Sequence, residues 1–185
     1  MRELNQNVRV LILSDIHANL EAFQAVLDHA QNYGPVDAVW CCGDIVGYGP
    51  NPGPCIDLLA SLPNLTVAGN HDLAAVHAIG LERFNPLAAA ALRWTAAQLT
   101  SAHQAWLLRL PSTVTQGFFT LVHGSPLDPV WDYVLPGVMH ESALRAVFAT
   151  MKTPHGTCTV QQGLEALLEL INRMGPKTKL NMDLG

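Results

Sequence analysis

Val8-Arg9-Val10-Leu11-Ile12-Leu13-Ser14-Asp15-Ile16-His17 decides the fold class. Its first part is apolar and β-branched, the signature of a short buried strand, and it stops abruptly at Ser14-Asp15. Asn19 is placed to cap a helix starting at Leu20, because its side-chain oxygen can accept an otherwise unpaired first-turn N–H. Leu20, Phe23, Val26, Leu27 and Ala30 share one face at helical spacing, and Gly34-Pro35 ends the run. The unit then repeats. Asp37 to Cys42 reads as a second strand stopping at Gly43-Asp44, followed by a Gly/Pro-rich loop from Gly47 to Pro54 and a short helix over Cys55–Ser61. Leu65 to Ala68 reads as a third strand, stopping at Gly69-Asn70-His71-Asp72. Strand alternating with helix in this way is the pattern of an α/β fold.

The middle of the chain is helical, over Pro86–Leu99 and again over Ser101–Leu110. Two strands then flank Gly117: Thr113–Gln116 and 118–122, the second stopping at His123-Gly124-Ser125-Pro126. Each of the four clear apolar strands therefore ends in a polar cluster. In open α/β sheets, ligands sit beyond the carboxyl ends of the strands. Those loops are expected to gather Asp15, His17, Asp44, Asn70, His71, Asp72 and His123 into one pocket. Taken singly, an Asp-x-His pair or a Gly-Asp turn is commonplace. Four such clusters, all at strand ends, form a site.

The donor set is carboxylate, imidazole and one amide, without thiolate, which suits Mn, Fe, Zn or Ni. Asp15 and His17 lie two apart, so in an extended chain both face the same side and can meet one ion. Asp44 has two oxygens and can bridge two ions, and a pair of ions can hold a hydroxide and clamp a phosphoryl oxygen without a nucleophilic Ser or Cys. His29, His77, His103 and His140 have no strand-end placement and read as structural or exposed.

Composition narrows the partners. The chain has 185 residues and a net charge of -5, with 49% hydrophobic and 14% charged residues. That is a folded, mildly acidic protein, and a poor bulk binder of nucleic acid. Its apolar runs fall well short of the roughly 20 residues a membrane span needs. The opening residues do not read as a signal peptide. Cys41, Cys42, Cys55 and Cys158 follow neither metal nor disulfide spacing and read as free thiols of a reducing cytoplasm. Oligomeric state is not encoded in any of these features.

Asp15-Ile16-His17, Gly43-Asp44-Ile45-Val46-Gly47-Tyr48-Gly49-Pro50, Gly69-Asn70-His71-Asp72 and His123-Gly124-Ser125-Pro126 together resemble the calcineurin-like metallophosphoesterases, and most of all the small prokaryotic branch with the Gly-Tyr-Gly-Pro loop. The likeness runs from about Val8 to about Tyr133. It implies a four-layer sandwich of two mixed β-sheets flanked by helices, with a dinuclear divalent-metal centre. By that resemblance Asp15 and His17 bind the first ion, Asp44 bridges, and Asn70 and His123 bind the second. His71 is then not a ligand but contacts the substrate phosphate and helps the leaving oxygen depart. Asp72 either orients His71 or caps the following helix. The implied reaction is hydrolysis of phosphomonoesters or phosphodiesters, including nucleotide-type substrates. The alternatives are a dinucleoside polyphosphate hydrolase of the same fold and a non-catalytic metal- or phosphate-binding module.

The sequence departs from that pattern twice. Where the protein-serine/threonine phosphatases carry Asp-Arg-Gly, this chain has Gly47-Tyr48-Gly49, which argues against a dedicated protein-phosphatase role. The family's Gly-His-x-His motif is also missing: after His123 only His140 and His155 remain. The expectation is a domain over residues 1–150 with a shortened second sheet. A divergent segment over 151–185 is expected to follow it, with a helix-spaced apolar stripe at 164–173. Such a tail fits a natural short form, a truncated product or a frame-shifted one.

Overall fold

The computed structural model describes residues 8–133 other than 118, together with residues 142, 145, 147, 149, 157 and 158. β1 (Val10–Leu13), β2 (Ala38–Cys41) and β3 (Asn64–Thr66) form a parallel sheet in the order β1-β2-β3, with Leu13 opposite Cys41 and Cys41 opposite Thr66. The crossovers are α1 (Leu20–Gln31) and α2 (Pro52–Ser61). Asn19 caps α1 as expected, its side chain accepting from the Ala22 N–H at 3.0 Å. α2 starts earlier than expected, at Pro52 rather than Cys55. Proline is well suited to a first helical turn, where its missing N–H has no intrahelical partner to lose.

The strands of this sheet are apolar on both faces because both faces are covered. Leu11, Leu13, Val39 and Cys41 point into a core shared with the helices, around Phe23, Ile56, Leu59, Leu92 and Leu107. Their neighbours Val10, Ile12, Trp40 and Cys42 point the other way, onto Leu121, Val114 and Phe119 of a second sheet. The Trp40 and Phe119 rings meet edge-on across this seam at 5.3 Å.

α3 (Asn70–Ala75), α4 (Pro86–Gln98) and α5 (Ser101–Leu108) follow the first sheet. β4 (Thr113–Gln116) and β5 (Phe119–Val122) are an antiparallel pair, and Gly117 between them has φ 59°, a conformation glycine adopts without strain. β6 (Thr157–Cys158) pairs parallel to β5, so the second sheet is mixed and the segment set apart as 151–185 contributes to it. The expected helix at 164–173 and the outer layer of the sandwich lie outside the described residues, as do His140 and His155.

Candidate functional site

Asp15, Asp44, Asn70 and His123 follow the carboxyl ends of β1, β2, β3 and β5 respectively. The loops carrying them are stitched to one another by backbone hydrogen bonds. Asp15 N–H donates to Gly43 O at 3.0 Å, His17 N–H to Asp44 O at 2.9 Å and Ala18 N–H to Ile45 O at 2.9 Å. Asp15 and His17 face the site, but not through the extended backbone the sequence suggested. Their φ values are 55° and 49°, and Ala18, Asp44 and Tyr48 are also left-handed, at 55°, 55° and 57°. Such conformations are sparsely populated for residues with a Cβ and concentrate at functional sites. Two glycines admit the close approach this needs. A side chain at Gly69 would run into the Asp44 carboxylate, and Gly47, at φ 93°, packs directly against the His71 ring.

The imidazoles are aimed. His17 Nδ1 lies 3.2 Å from Val46 O and His123 Nδ1 lies 2.9 Å from Cys42 O. A carbonyl at Nδ1 keeps the proton there and leaves Nε2 as a bare electron pair, the arrangement by which proteins present histidine to metals. Both Nε2 atoms converge on one oxygen, Asp44 Oδ2, at 3.8 Å from His17 and 3.5 Å from His123. His17 Nε2 is also 3.6 Å from Asp15 Oδ1. His123 Nε2 is buried and carries no hydrogen bond. A buried imidazole nitrogen left unpaired is costly unless something else binds it, so the donors fit a cation. By distance the ligand atoms cluster as His17, Asp44 and His71, and as Asp15, Asp44 and His123. Asp44 belongs to both groups.

Asp44 is 2% exposed, and burial, reinforced by the nearby carboxylates of Asp72 and Asp15, pushes its carboxyl well above the usual range. Such clustered buried acids become stable as anions when positive charge is supplied. Asp44 Oδ1 accepts the His71 backbone N–H at 2.9 Å. The Asn70 amide donates to the Tyr133 hydroxyl at 3.0 Å. His71 is pushed down to about 4, first by burial and then by His17 and His123. At neutral pH it is an uncharged imidazole that can donate a hydrogen bond.

Asp72 does more than either role set out for it. It is fully buried, and its oxygens accept from the backbone N–H groups of Asp44 at 2.8 Å, Ile45 at 2.9 Å, Val46 at 3.1 Å and Gly69 at 3.0 Å. It therefore caps α3 through Gly69 and also clamps the loop that carries Asp44. Asp72→Ala is expected to strip several buried amides of their partner, costing about 3 kcal/mol or more. For a chain of this size that lowers Tm by roughly 6–12 °C. Thermal unfolding followed by circular dichroism checks it, and an unchanged Tm would show that the clamp is dispensable.

His29 and His77 are exposed, and His103 pairs with Asp57 at 3.2 Å, so none of these reaches the site. Cys41, Cys42 and Cys55 are buried free thiols, and burial pushes Cys55 up to about 11, which leaves it unreactive. The sequence reading missed Tyr48, Phe84, Trp131 and Tyr133 as neighbours of the site. Tyr48 stands in the quoted loop motif, but no local spacing signals the other three.

The Calcineurin-like phosphoesterase family profile matches residues 8–177. An uncharacterized protein of Methanocaldococcus jannaschii is 36% identical over 132 residues, covering 69% of this chain and 54% of its own. A symmetrical bis(5'-nucleosyl)-tetraphosphatase of Buchnera aphidicola is 39% identical over 70 residues, covering 36% of this chain and 26% of its own. The crystal structure of a metallophosphoesterase from Sphaerobacter thermophilus superposes with a TM-score of 0.67 at 43% identity, covering 80% of this chain and 58% of that one. The chain thus spans about half the length of the Methanocaldococcus relative. Its sheets and flanking helices are those of the metallophosphoesterase fold, and with a profile match reaching from residue 8 to residue 177, the chain belongs to the calcineurin-like phosphoesterase family.

Proposed function

We propose that this chain is a divalent-metal-dependent phosphoesterase, with Asp15, His17, Asp44, Asn70 and His123 as metal ligands and His71 beside the leaving group. The observation that supports this most is the convergence of two imidazole Nε2 atoms on Asp44 Oδ2, one of them buried without a hydrogen bond. Two bound divalent ions, of Mn, Fe, Zn or Ni type, would supply Lewis acidity and an activated water. The chain's own groups do the rest. Val46 O and Cys42 O hold the two rings in the ligating tautomer. Asp72 holds the Asp44 loop in place, and the His71 backbone N–H fixes the Asp44 carboxylate. In the reaction a water releases a proton to solvent as its oxygen adds to phosphorus, and the bond to the leaving oxygen breaks with its electron pair. The His71 ring N–H stabilises that oxygen until solvent protonates it.

The substrates proposed are small phosphomonoesters or phosphodiesters, including nucleotides. The likeness to a symmetrical bis(5'-nucleosyl)-tetraphosphatase favours a second reading, hydrolysis of a dinucleoside polyphosphate. No helix among the described residues is long and apolar enough to cross a membrane. With buried free thiols, the cytoplasm is the proposed location.

The test is turnover of an aryl monoester, an aryl diester and a dinucleoside tetraphosphate by the chelator-stripped chain before and after adding Mn²⁺. Hydrolysis that needs added metal supports the reading. Stoichiometric metal binding without any turnover would make the chain a metal- or phosphate-binding module instead. The two ions are expected to differ in affinity. Asp15 and His17 serve one ion, whereas the other relies on His123, the shared Asp44 and the neutral Asn70. Calorimetric titration is expected to show one firm site and a second filled only by excess metal, with rates rising beyond one equivalent. Two equally tight sites would mean that a further ligand, such as His140 or His155, completes the second.

A further inference from the structure

The loop after β5 leaves the site at His123 and returns to it at Tyr133, ten residues on. Its path is set by its own polar groups. Ser125 is fully buried, and its hydroxyl donates to Asp132 Oδ2 at 2.5 Å while accepting the Leu127 N–H at 3.0 Å. Asp128 Oδ1 accepts the N–H groups of Val130 and Trp131, each at 3.1 Å. The half-buried Tyr133 ring that this loop brings back stands edge-on to the His123 ring, with 6.3 Å between centroids. Its hydroxyl accepts the Asn70 Nδ2–H at 3.0 Å. At the other end of the same amide, Asn70 Oδ1 accepts the His71 backbone N–H at 3.1 Å, and Asp44 Oδ1 accepts that same N–H at 2.9 Å. A backbone N–H can only donate, so the amide end beside it is the oxygen and the end toward Tyr133 is the NH₂. Two acceptors of one N–H lie side by side, which sets the Asn70 oxygen next to the carboxylate that both ions would share.

We propose that Tyr133 is a positioning residue for Asn70: by taking the amide N–H, its hydroxyl keeps the Asn70 carbonyl oxygen turned toward the second ion. The inference rests on the two-ion reading above and deepens it. An amide has one end that ligates a cation and one that repels it, and the two ends have nearly the same shape. Asn70 is 3% exposed, so its NH₂ has little water to turn to and depends on a protein acceptor. Tyr133 is that acceptor, and a flipped amide would turn its NH₂ toward the His71 N–H, donor against donor. Partners behind a ligand fix its orientation and thereby carry part of the metal affinity. The effect counts most at the second ion, whose own ligands beyond the shared Asp44 are the uncharged His123 and Asn70.

The experiment is calorimetric titration of the chelator-stripped full chain with Mn²⁺, for the parent and for Tyr133→Phe, which keeps the ring and removes only the acceptor. The weaker of the two sites is expected to lose roughly 10–100-fold in affinity. The firm site is expected to keep its parental Kd, and the Tm of the metal-free chain to move by no more than a few degrees. A loss confined to one site is what a merely structural role would not produce. Asn70→Asp supplies a second test. A carboxylate presents an oxygen at either end, so orientation no longer matters, and adding Tyr133→Phe to it is expected to change the weaker-site Kd by about twofold at most. Equal losses in the Asn70 and Asp backgrounds would overturn the inference, because Tyr133 would then act otherwise than by turning the amide. An unchanged weaker site in Tyr133→Phe, or both sites weakened together with a Tm lowered by many degrees, would also overturn it, while leaving the two-ion reading intact. A parent chain that takes up no second ion even in excess Mn²⁺ would sink that reading and the inference with it.

Discussion

Asp44→Asn is expected to lower turnover by a factor on the order of 10³ or more, in the range seen when a central catalytic group is removed, and at the same time to raise the stability of the metal-free chain. The two effects share one cause. Asp44 is 2% exposed, has the carboxylates of Asp15 and Asp72 as neighbours, and presents Oδ2 to both His17 and His123. An anion there is costly without cations and is the shared ligand with them. An amide removes the repulsion and with it the charge that holds two ions together. Metal-free Tm is expected to rise by a few degrees, reflecting about 1 kcal/mol. Metal content by mass spectrometry is expected to fall. A variant with parental metal content and parental turnover would remove Asp44 from the centre.

His71→Ala is expected to separate catalysis from metal binding. What links His71 to Asp44 is the backbone N–H, at 2.9 Å, and alanine keeps it. Metal content is therefore expected to remain near the parental value while turnover falls by roughly 10²–10⁴-fold, the range for loss of a group acting on a leaving oxygen. Because the imidazole is pushed down to about 4, its contribution is a hydrogen bond from a neutral ring. The loss is then smaller for a nitrophenyl ester, whose leaving oxygen needs little help, and larger for an alkyl ester. His71→Gln, which keeps an N–H donor, is expected to recover part of the alkyl-ester rate. Loss of metal in His71→Ala would instead make the ring a ligand, as its proximity to His17 and Asp44 permits.

The positions of Asp15, Asp44, Asn70 and His123 were legible because each depends on a local fact, an apolar run that ends in a polar cluster. In a parallel α/β sheet that alone places Asp15, Asp44 and Asn70 at one edge, whereas His123 follows β5 of the second sheet and joins them through the packing of the two sheets. The start of α1 was legible for the same reason, since Asn19 caps by reaching only three residues along its own chain. The start of α2 and the left-handed turns at Asp15 and His17 were not. Proline was read as loop rather than as a first helical turn, and the turns are imposed by bonds to Gly43 O and Asp44 O on a different loop.

What the amino-acid order determines here is therefore the list of chemical groups and the sheet edge at which they gather. The tertiary structure decides how each group is used. The tautomers of His17 and His123 follow from carbonyls at Val46 and Cys42, which lie 29 and 81 residues away in sequence. Asp72 clamps a loop 26 to 28 residues upstream, a role that no reading of Gly-Asn-His-Asp as a motif contains. Phe84 meets His71, and Trp131 meets Phe84, only when α3 and the loops before α4 and after β5 pack together. Local patterns follow from chain geometry over a few residues, whereas orientation depends on contacts between segments far apart in sequence, and those contacts exist only once both sheets and the helices have packed.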